Sequence, residues 1–381
     1  MKNSKWFKGL NTFFSLIGFA VVVSLLFIIL TNISGLGTLL TVLGLIKTQS
    51  LYEVSSDKLI SGATSGLVDA LNDPYSKYLN RQEWEDFKIR LEAKFGGIGV
   101  YVLADTDGRL KIISPIKGTP AYKEGLKHGD IILKINGKSA INMSQDEAVS
   151  LMRGDPGTQL ALDIYRESDG KEYNFKITRE IINVPSVEYK IIDDVARIGY
   201  ISLNQFHARS YEEMSGAVNN LMEQKVRGLI LDLRNNGGGD FDVAINIAGI
   251  FLNGKEVVSV ADNRGQKEVY MATPGMIDIP LVVLVNQHSA SASEILAGAL
   301  KDNKRAVLVG EKTYGKGLVQ RVYPLQDGAA LKLTIQKYYT PAGTDINEIG
   351  INPDYQVENE PNSNNDLQLN KALEVLKKQI Y

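Results

Sequence analysis

The pattern that most restricts the fold is an alternation in the second half of the chain. From about Pro185 onward, short apolar runs of strand type recur at Gly228 to Leu233, Leu281 to Val285 and Ala306 to Val309, with helical patterns between them. Strands apolar along their whole length need cover on both faces, which crossover helices supply. Residues 181–381 therefore read as a layered α/β domain whose site lies at the strand ends. An alternating strand from Leu331 to Tyr339 belongs to it, as does a last helix carrying Leu367, Leu369, Ala372, Leu373 and Leu376.

The middle of the chain has a different rhythm. Between Phe95 and about Thr178 the runs are short and marked off by turn residues: Asp105 to Gly108, Asn136-Gly137 with its type I′ signal, and Asp169-Gly170. One helix interrupts them, starting at Ser144 with Glu147 three residues on as a capping box and turning Ala148, Val149, Leu151 and Met152 inward. Residues 93–180 thus form a compact α+β module. Ahead of it, residues 48–92 form a small helical segment, in which Leu59, Ile60, Ala63, Leu67, Ala70 and Leu71 recur at helical spacing until Asn72-Asp73-Pro74.

The first 47 residues carry a separate expectation. Lys2, Lys5 and Lys8 precede an uncharged apolar run from Phe13 to Leu30, about 27 Å of helix at 1.5 Å per residue. This predicts a single-pass membrane helix with a cytoplasmic tip and the rest of the chain outside the cytoplasm. A cleaved signal peptide, leaving a secreted protein, is the competing reading. The second apolar stretch, Thr38 to Ile46, is too short to span a bilayer.

Composition removes several functions. A formal net charge of −2 supplies no broad basic surface, so nucleic acid is not expected as a partner. With no cysteine, thiolate catalysis is excluded. The three histidines, His128, His207 and His288, show no H-x-x-x-H spacing, so neither a zinc site nor a cofactor is expected.

Chemistry concentrates where the apolar run Ile279 to Val285 passes through Asn286-Gln287-His288-Ser289-Ala290-Ser291-Ala292-Ser293-Glu294 into a helical stretch. A serine there stands at a helix N-terminus, where the dipole and free N–H groups favour developing negative charge. Lys316 follows 25 residues after Ser291, between Gly315 and Gly317, which let the backbone pass close to the site. Read alone, each serine could be only a cap and the lysine only solvated. Ser293 is the expected cap, Ser289 the rival nucleophile, Glu294 a first-turn charge, and His288 offers a Ser/His alternative.

Two resemblances join these observations. Gly97-Ile98-Gly99-Val100 resembles the carboxylate-binding loop of PDZ domains, and Ser114 to Gly137 is similar to the bacterial form of that family. The loop implies capture of a peptide's terminal carboxylate, with the tail added to the open strand edge. Ser289-Ala-Ser-Ala-Ser-Glu-Ile, Gly298-Ala-Leu-Lys-Asp302 and Thr313-Tyr-Gly-Lys-Gly-Leu-Val-Gln320 closely resemble the carboxyl-terminal processing peptidases, over about Leu51 to Asp354. The resemblance implies Ser291 as nucleophile, Lys316 as general base, Gln320 as the residue orienting the lysine, and an acidic position at Asp302. Leu231 to Gly239 resembles the family's oxyanion loop, implying Gly238 or Gly239 together with Ala292 as donors, although a proline is usual where Gly237 stands. Arg153 matches a position implied to couple tail binding to the active state, against the plain alternative of a solvated helix-end charge.

The expectation is therefore a multidomain α/β plus α+β chain with an N-terminal membrane helix, a helical segment, a PDZ-like domain and a layered α/β serine protease core. It would cut proteins or peptides bearing free C-termini with a Ser/Lys dyad. A lysine accepts the serine's proton only as the neutral amine, so a working site must disfavour its charged form. A non-catalytic PDZ adaptor that tethers exported proteins is the alternative from another class, and a hydrolase of small esters a third. Self-association is left open.

Overall fold

The computed structural model describes residues 13–25, 33–105, 107–275, 277–360 and 365–381. They fall into two compact units, residues 1–78 and 79–381.

In the first unit residues 13–25 are helical, and a second helix runs Ile33–Gln49 straight through Gly35, Gly37 and Gly44. The expected membrane helix is not found. No helix among the described residues is long and apolar enough to cross a membrane. Of the expected span, Phe13 to Leu30, residues 13–25 are helical and 26–30 lie outside the described residues; the helix Ile33–Gln49, which contains the stretch expected to be too short, has 17 residues, below the roughly 20 apolar residues a bilayer core needs. Lys2, Lys5 and Lys8 lie outside the described residues. A third helix, Ser56–Asp69, begins at Ser55, whose side chain accepts from the Lys58 N–H (3.3 Å).

The second unit opens with the helix Arg81–Glu92, fixed by a capping box between Asn80 and Glu83. An antiparallel sheet follows, in the order Val100–Ala104, Leu110–Pro115, Ile131–Ile135, Gln159–Arg166, Lys171–Thr178. Its inward residues, among them Leu110, Ile112, Ile132, Leu160, Leu162 and Ile164, pack with Ala148 and Met152 of the helix Gln145–Met152. The turn signals are realised, with Asn136 at φ 50° and Gly137 at φ 79°, the positive values a type I′ turn requires. Ser144 caps its helix by accepting from the Glu147 N–H (3.2 Å), but Glu147's side chain leaves the expected box and pairs with Lys138 (2.5 Å). The strand Val100–Ala104 ends the sheet, so among the described residues one of its edges has no strand beside it.

The remaining residues build three layers. Val187–Asp193 lies antiparallel to Ile198–Leu203, and Gly228–Asp232, Leu281–Val285, Val307–Gly310 and Tyr355–Gln356 continue the sheet in parallel. Alternate residues point to opposite faces. Leu229, Leu231, Leu281 and Val283 meet the helices Ser210–Glu223, Phe241–Phe251 and Ala292–Asp302, while Ile230, Val282 and Leu284 meet the C-terminal helix Leu367–Ile380. This last helix is pinned at its start: Arg234 donates to Asp366 Oδ1 and Oδ2 (2.8 and 2.9 Å) and to Asp232 Oδ2 (2.6 Å). A second, antiparallel sheet holds Glu256–Asp262, Lys267–Met271, Leu318–Pro324 and Ala330–Tyr339.

Candidate active site

Three loops leave the C-terminal ends of neighbouring parallel strands: 233–240 after Asp232, 286–291 after Val285, and 311–317 after Gly310. They converge on a cleft of about 710 Å³ lined by Gly238, Gly239, Ser291, Ala292, Lys316 and Gln320. Every residue expected to carry catalysis thus faces one space, although they lie up to 82 positions apart.

The serine-rich segment sorts itself by burial. Ser289 is fully buried and donates to Leu233 O (2.8 Å), and Ser293, also fully buried, donates to Asn236 O (2.9 Å). Neither hydroxyl is available to a substrate. Ser291, not Ser293, is the N-cap of the helix Ala292–Asp302. It lines the cleft with φ 56° and ψ −115°, a conformation a residue bearing a Cβ keeps only where its surroundings enforce it. His288 is exposed and does not line the cleft, which leaves the Ser/His alternative without support.

Glu294 is the residue that sequence reasoning undervalued. It is fully buried and joins the serine loop to the lysine loop. Its Oε1 accepts from Thr313 Oγ1 (2.6 Å) and the Gly315 N–H (2.7 Å), and its Oε2 accepts from the Ser291 N–H (2.8 Å) and the Lys316 N–H (2.9 Å). The glycines beside Lys316 have a matching cause. A Cβ on Gly315 would stand 2.8 Å from Gly350 N, and one on Gly317 2.8 Å from Asn347 N, so the loop at 347–350 tolerates no side chain there. Gln320 reaches Thr334 Oγ1 at 3.4 Å from the same side of the cleft.

Asn236, likewise fully buried, organises the glycine loop. Its Nδ2 donates to Leu203 O (2.7 Å), its carbonyl accepts from the Ala290 N–H (3.1 Å), and its Oδ1 accepts from the Gly238 N–H (2.9 Å). The last bond occupies the Gly238 N–H, and Gly239 and Ala292 line the cleft beside Ser291. Gly238 still has to be glycine, because a Cβ there would lie 2.9 Å from that of Ser291. Gly237, where a proline was expected, is exposed and a Cβ would meet nothing, so the departure disturbs no contact. Asp302 lies elsewhere and accepts from the Ala342 N–H (2.9 Å).

A second groove, of about 210 Å³, lies between the edge strand Val100–Ala104 and the helix Gln145–Met152. Gly97, Ile98, Gly99, Val100 and Arg153 all line it, with Phe95, Val149 and Met152 giving it an apolar floor. Gly99 has φ 79° and sits against Thr119, whose hydroxyl donates to Ile116 O (2.7 Å). The Arg153 guanidinium stacks 4.9 Å from the Phe95 ring and reaches Asp86 at 3.9 Å, while its buried Nε has no hydrogen-bond partner. Asp86 belongs to the helix Arg81–Glu92, and Phe87, Arg90 and Leu91 of that helix line the Ser291 cleft.

A serine at a strand-to-helix turn, a lysine loop beside it and a separate peptide-sized groove are the equipment of a serine peptidase carrying a PDZ domain. Comparison with known proteins agrees. Residues 197–357 match the model of peptidase family S41, residues 88–165 that of the PDZ domain, and residues 31–83 that of the activating protease CtpB N-terminal domain. The chain is 40% identical over 321 residues to the carboxy-terminal-processing protease of Bartonella bacilliformis, covering 82% of this chain and 73% of that protein. It is 39% identical over 315 residues to the carboxy-terminal processing protease CtpA of Bacillus subtilis, covering 82% and 67%. A solved photosystem II D1 C-terminal processing protease shares the fold with a TM-score of 0.52 at 30% identity, covering 91% of this chain and 92% of that one. This chain belongs to the carboxy-terminal processing protease family, within peptidase family S41, and is a serine-type endopeptidase.

Proposed function

We propose that the protein cuts polypeptides selected by their free C-terminal tails, using Ser291 as nucleophile, Lys316 as general base and Gln320 to orient the lysine. The observation that carries this reading is the sorting of the cleft: of three neighbouring serines only Ser291 faces it, and Lys316 and Gln320 face it too. Ser291 attacks the scissile carbonyl as its proton passes to the neutral amine of Lys316. The oxyanion is met by the N–H groups of Gly239 and Ala292, at the positive end of the helix Ala292–Asp302. Lys316 then protonates the leaving amine, and water releases the acyl group.

The tail adds as a strand beside Val100 to Val102, its carboxylate held by the loop at Gly97 to Val100, its last side chain on the apolar floor. Arg153, with a buried N–H lacking a partner, supports an anionic occupant at that end. We place this activity outside the cytoplasm, on the three lysines that precede an uncharged apolar stretch. A reporter fused after Tyr381 that worked only in the cytoplasm would refute that placement.

The dyad is tested with a fluorophosphonate probe and a peptide substrate. The probe labels the wild type and not Ser291→Ala, and peptide cleavage is lost in Ser291→Ala, Lys316→Ala and Lys316→Arg, the last because a guanidinium stays protonated. Near-normal turnover in Lys316→Ala would overturn the assignment.

A further inference from the structure

We propose that Tyr338 is a positioning residue for the reaction, its phenol fixing the separation of the two catalytic residues by holding their carbonyl groups together. The inference rests on the assignment of Ser291 and Lys316. Tyr338 projects from the strand Ala330–Tyr339, is 1% exposed, and stands at the back of the cleft. Its Oη lies 2.5 Å from Lys316 O and 3.1 Å from Ser291 O, and its backbone N–H donates to Gly317 O at 3.0 Å. A phenol has one proton, which the shorter contact directs at Lys316 O, so the hydroxyl ties the lysine loop to the carbonyl of Ser291, 25 residues away in the chain, which also accepts from the Glu294 and Ile295 N–H groups (2.8 and 3.0 Å).

The arrangement completes one already begun by Glu294, which accepts the N–H groups of the same two residues. Ser291 and Lys316 are thus each held through both of their main-chain groups, N–H by the carboxylate and C=O by the phenol, which for Ser291 shares the carbonyl with the first N–H groups of its helix. Two features make such a grip necessary. Ser291 sits at φ 56°, a strained value for a residue with a side chain, and relaxes unless its neighbours oppose it. Lys316 lies in a loop between two glycines, the residue type least able to hold a backbone in place. The phenol is engaged with carbonyl oxygens, which separates its role from that of the oxyanion donors.

The experiment compares Tyr338→Phe with the wild type, with Ser291→Ala and Lys316→Ala as controls, on a peptide with a free apolar C-terminus. Displacing a reacting group by about an ångström costs about 100-fold, so Tyr338→Phe is expected to lower kcat by about 10- to 100-fold. KM should stay within about twofold, fluorophosphonate labelling of Ser291 should slow in parallel, and the melting temperature should move by only a few degrees. A kcat within twofold of wild type overturns the proposal, as does a loss that merely follows the unfolded fraction. Should Tyr338→Phe melt below the assay temperature, all four proteins are compared at a lower temperature at which it is folded, and a kcat and a labelling rate within twofold of the wild type there overturn the proposal. If both alanine controls keep cleaving, the Ser/Lys assignment itself fails; if they are inactive while Tyr338→Phe is unaffected, only the clamp fails.

Discussion

At Glu294 a single carboxylate receives four donors, from Thr313, Gly315, Lys316 and Ser291. Replacing it by glutamine keeps the size but converts one oxygen into an amide that can only donate, so at least one of these buried groups faces another donor. Leaving a buried polar group unpaired costs roughly 1–3 kcal/mol. We expect Glu294→Gln to lower thermal stability by that order and to reduce kcat more than tenfold, since the four donors come from the loops that carry Ser291 and Lys316. Denaturant melts and steady-state kinetics on one preparation check this, and unchanged kcat would show that the loops keep their places without the carboxylate. The same residue marks where sequence reasoning stops. A glutamate three residues into a helix ordinarily answers the helix dipole from the surface. Nothing in the local string shows that residues 313–316 will fold over it from some twenty positions away. Ser289 and Ser293 were ambiguous for the same reason, because the string shows three serines while burial alone separates them.

The elements of the core were legible because their periods are strong. The buried strands announce themselves as unbroken apolar runs, and the turns at Asn136-Gly137 and Asp169-Gly170 as positions that accept positive φ. The membrane helix was misjudged because hydropathy alone measures how apolar a stretch is, and no helix among the described residues is both long and apolar enough to cross a membrane. Equally invisible was the segment 204–210, which braces the glycine loop: the Phe206 N–H donates to Gly238 O (3.2 Å) and Phe206 O accepts from the Asp240 N–H (2.9 Å). Next to Phe206 stands His207, 1% exposed, with Nε2 unpartnered and Nδ1 accepting from the Arg209 N–H (3.2 Å). Burial, and after it the charge of Arg209, pushes its pKa below the ordinary 6.5, although Glu213 opposes the shift. The unfolded chain therefore binds a proton at pH values where the folded chain does not. Folding stability is then complete above about pH 6.5 and declines as the pH falls toward the depressed folded value. Melting curves between pH 8 and 5 should show this acid limb, and His207→Asn, which keeps an acceptor near Nδ1 but does not titrate, should flatten it. Parallel curves for the two proteins would remove His207 as its source.

Across the second unit, the helix Arg81–Glu92 touches both working surfaces, with Asp86 beside Arg153 of the peptide groove and Phe87, Arg90 and Leu91 in the wall of the Ser291 cleft. Asp86 is 3.9 Å from Arg153 and partly solvated, so a tail carboxylate held in the groove as proposed would compete with a contact made by the helix that shapes the cleft. Coupling and simple tethering share one consequence and differ in the next. A peptide ending in a free carboxylate should be cut faster than its C-terminal amide. Part of that difference should persist in kcat at saturating substrate, because tethering alone changes only how much substrate is bound. Asp86→Asn, which weakens the competing partner without touching either the groove floor or Ser291, should raise the rate on the amide toward that on the acid. Matched acid and amide peptides assayed over a range of concentrations with wild type, Asp86→Asn and Arg153→Ala decide the matter. Equal rates for acid and amide in the wild type would show that the groove does not read the terminal carboxylate. A difference confined to KM, and unaltered by Asp86→Asn, would show that it holds the tail without informing the cleft.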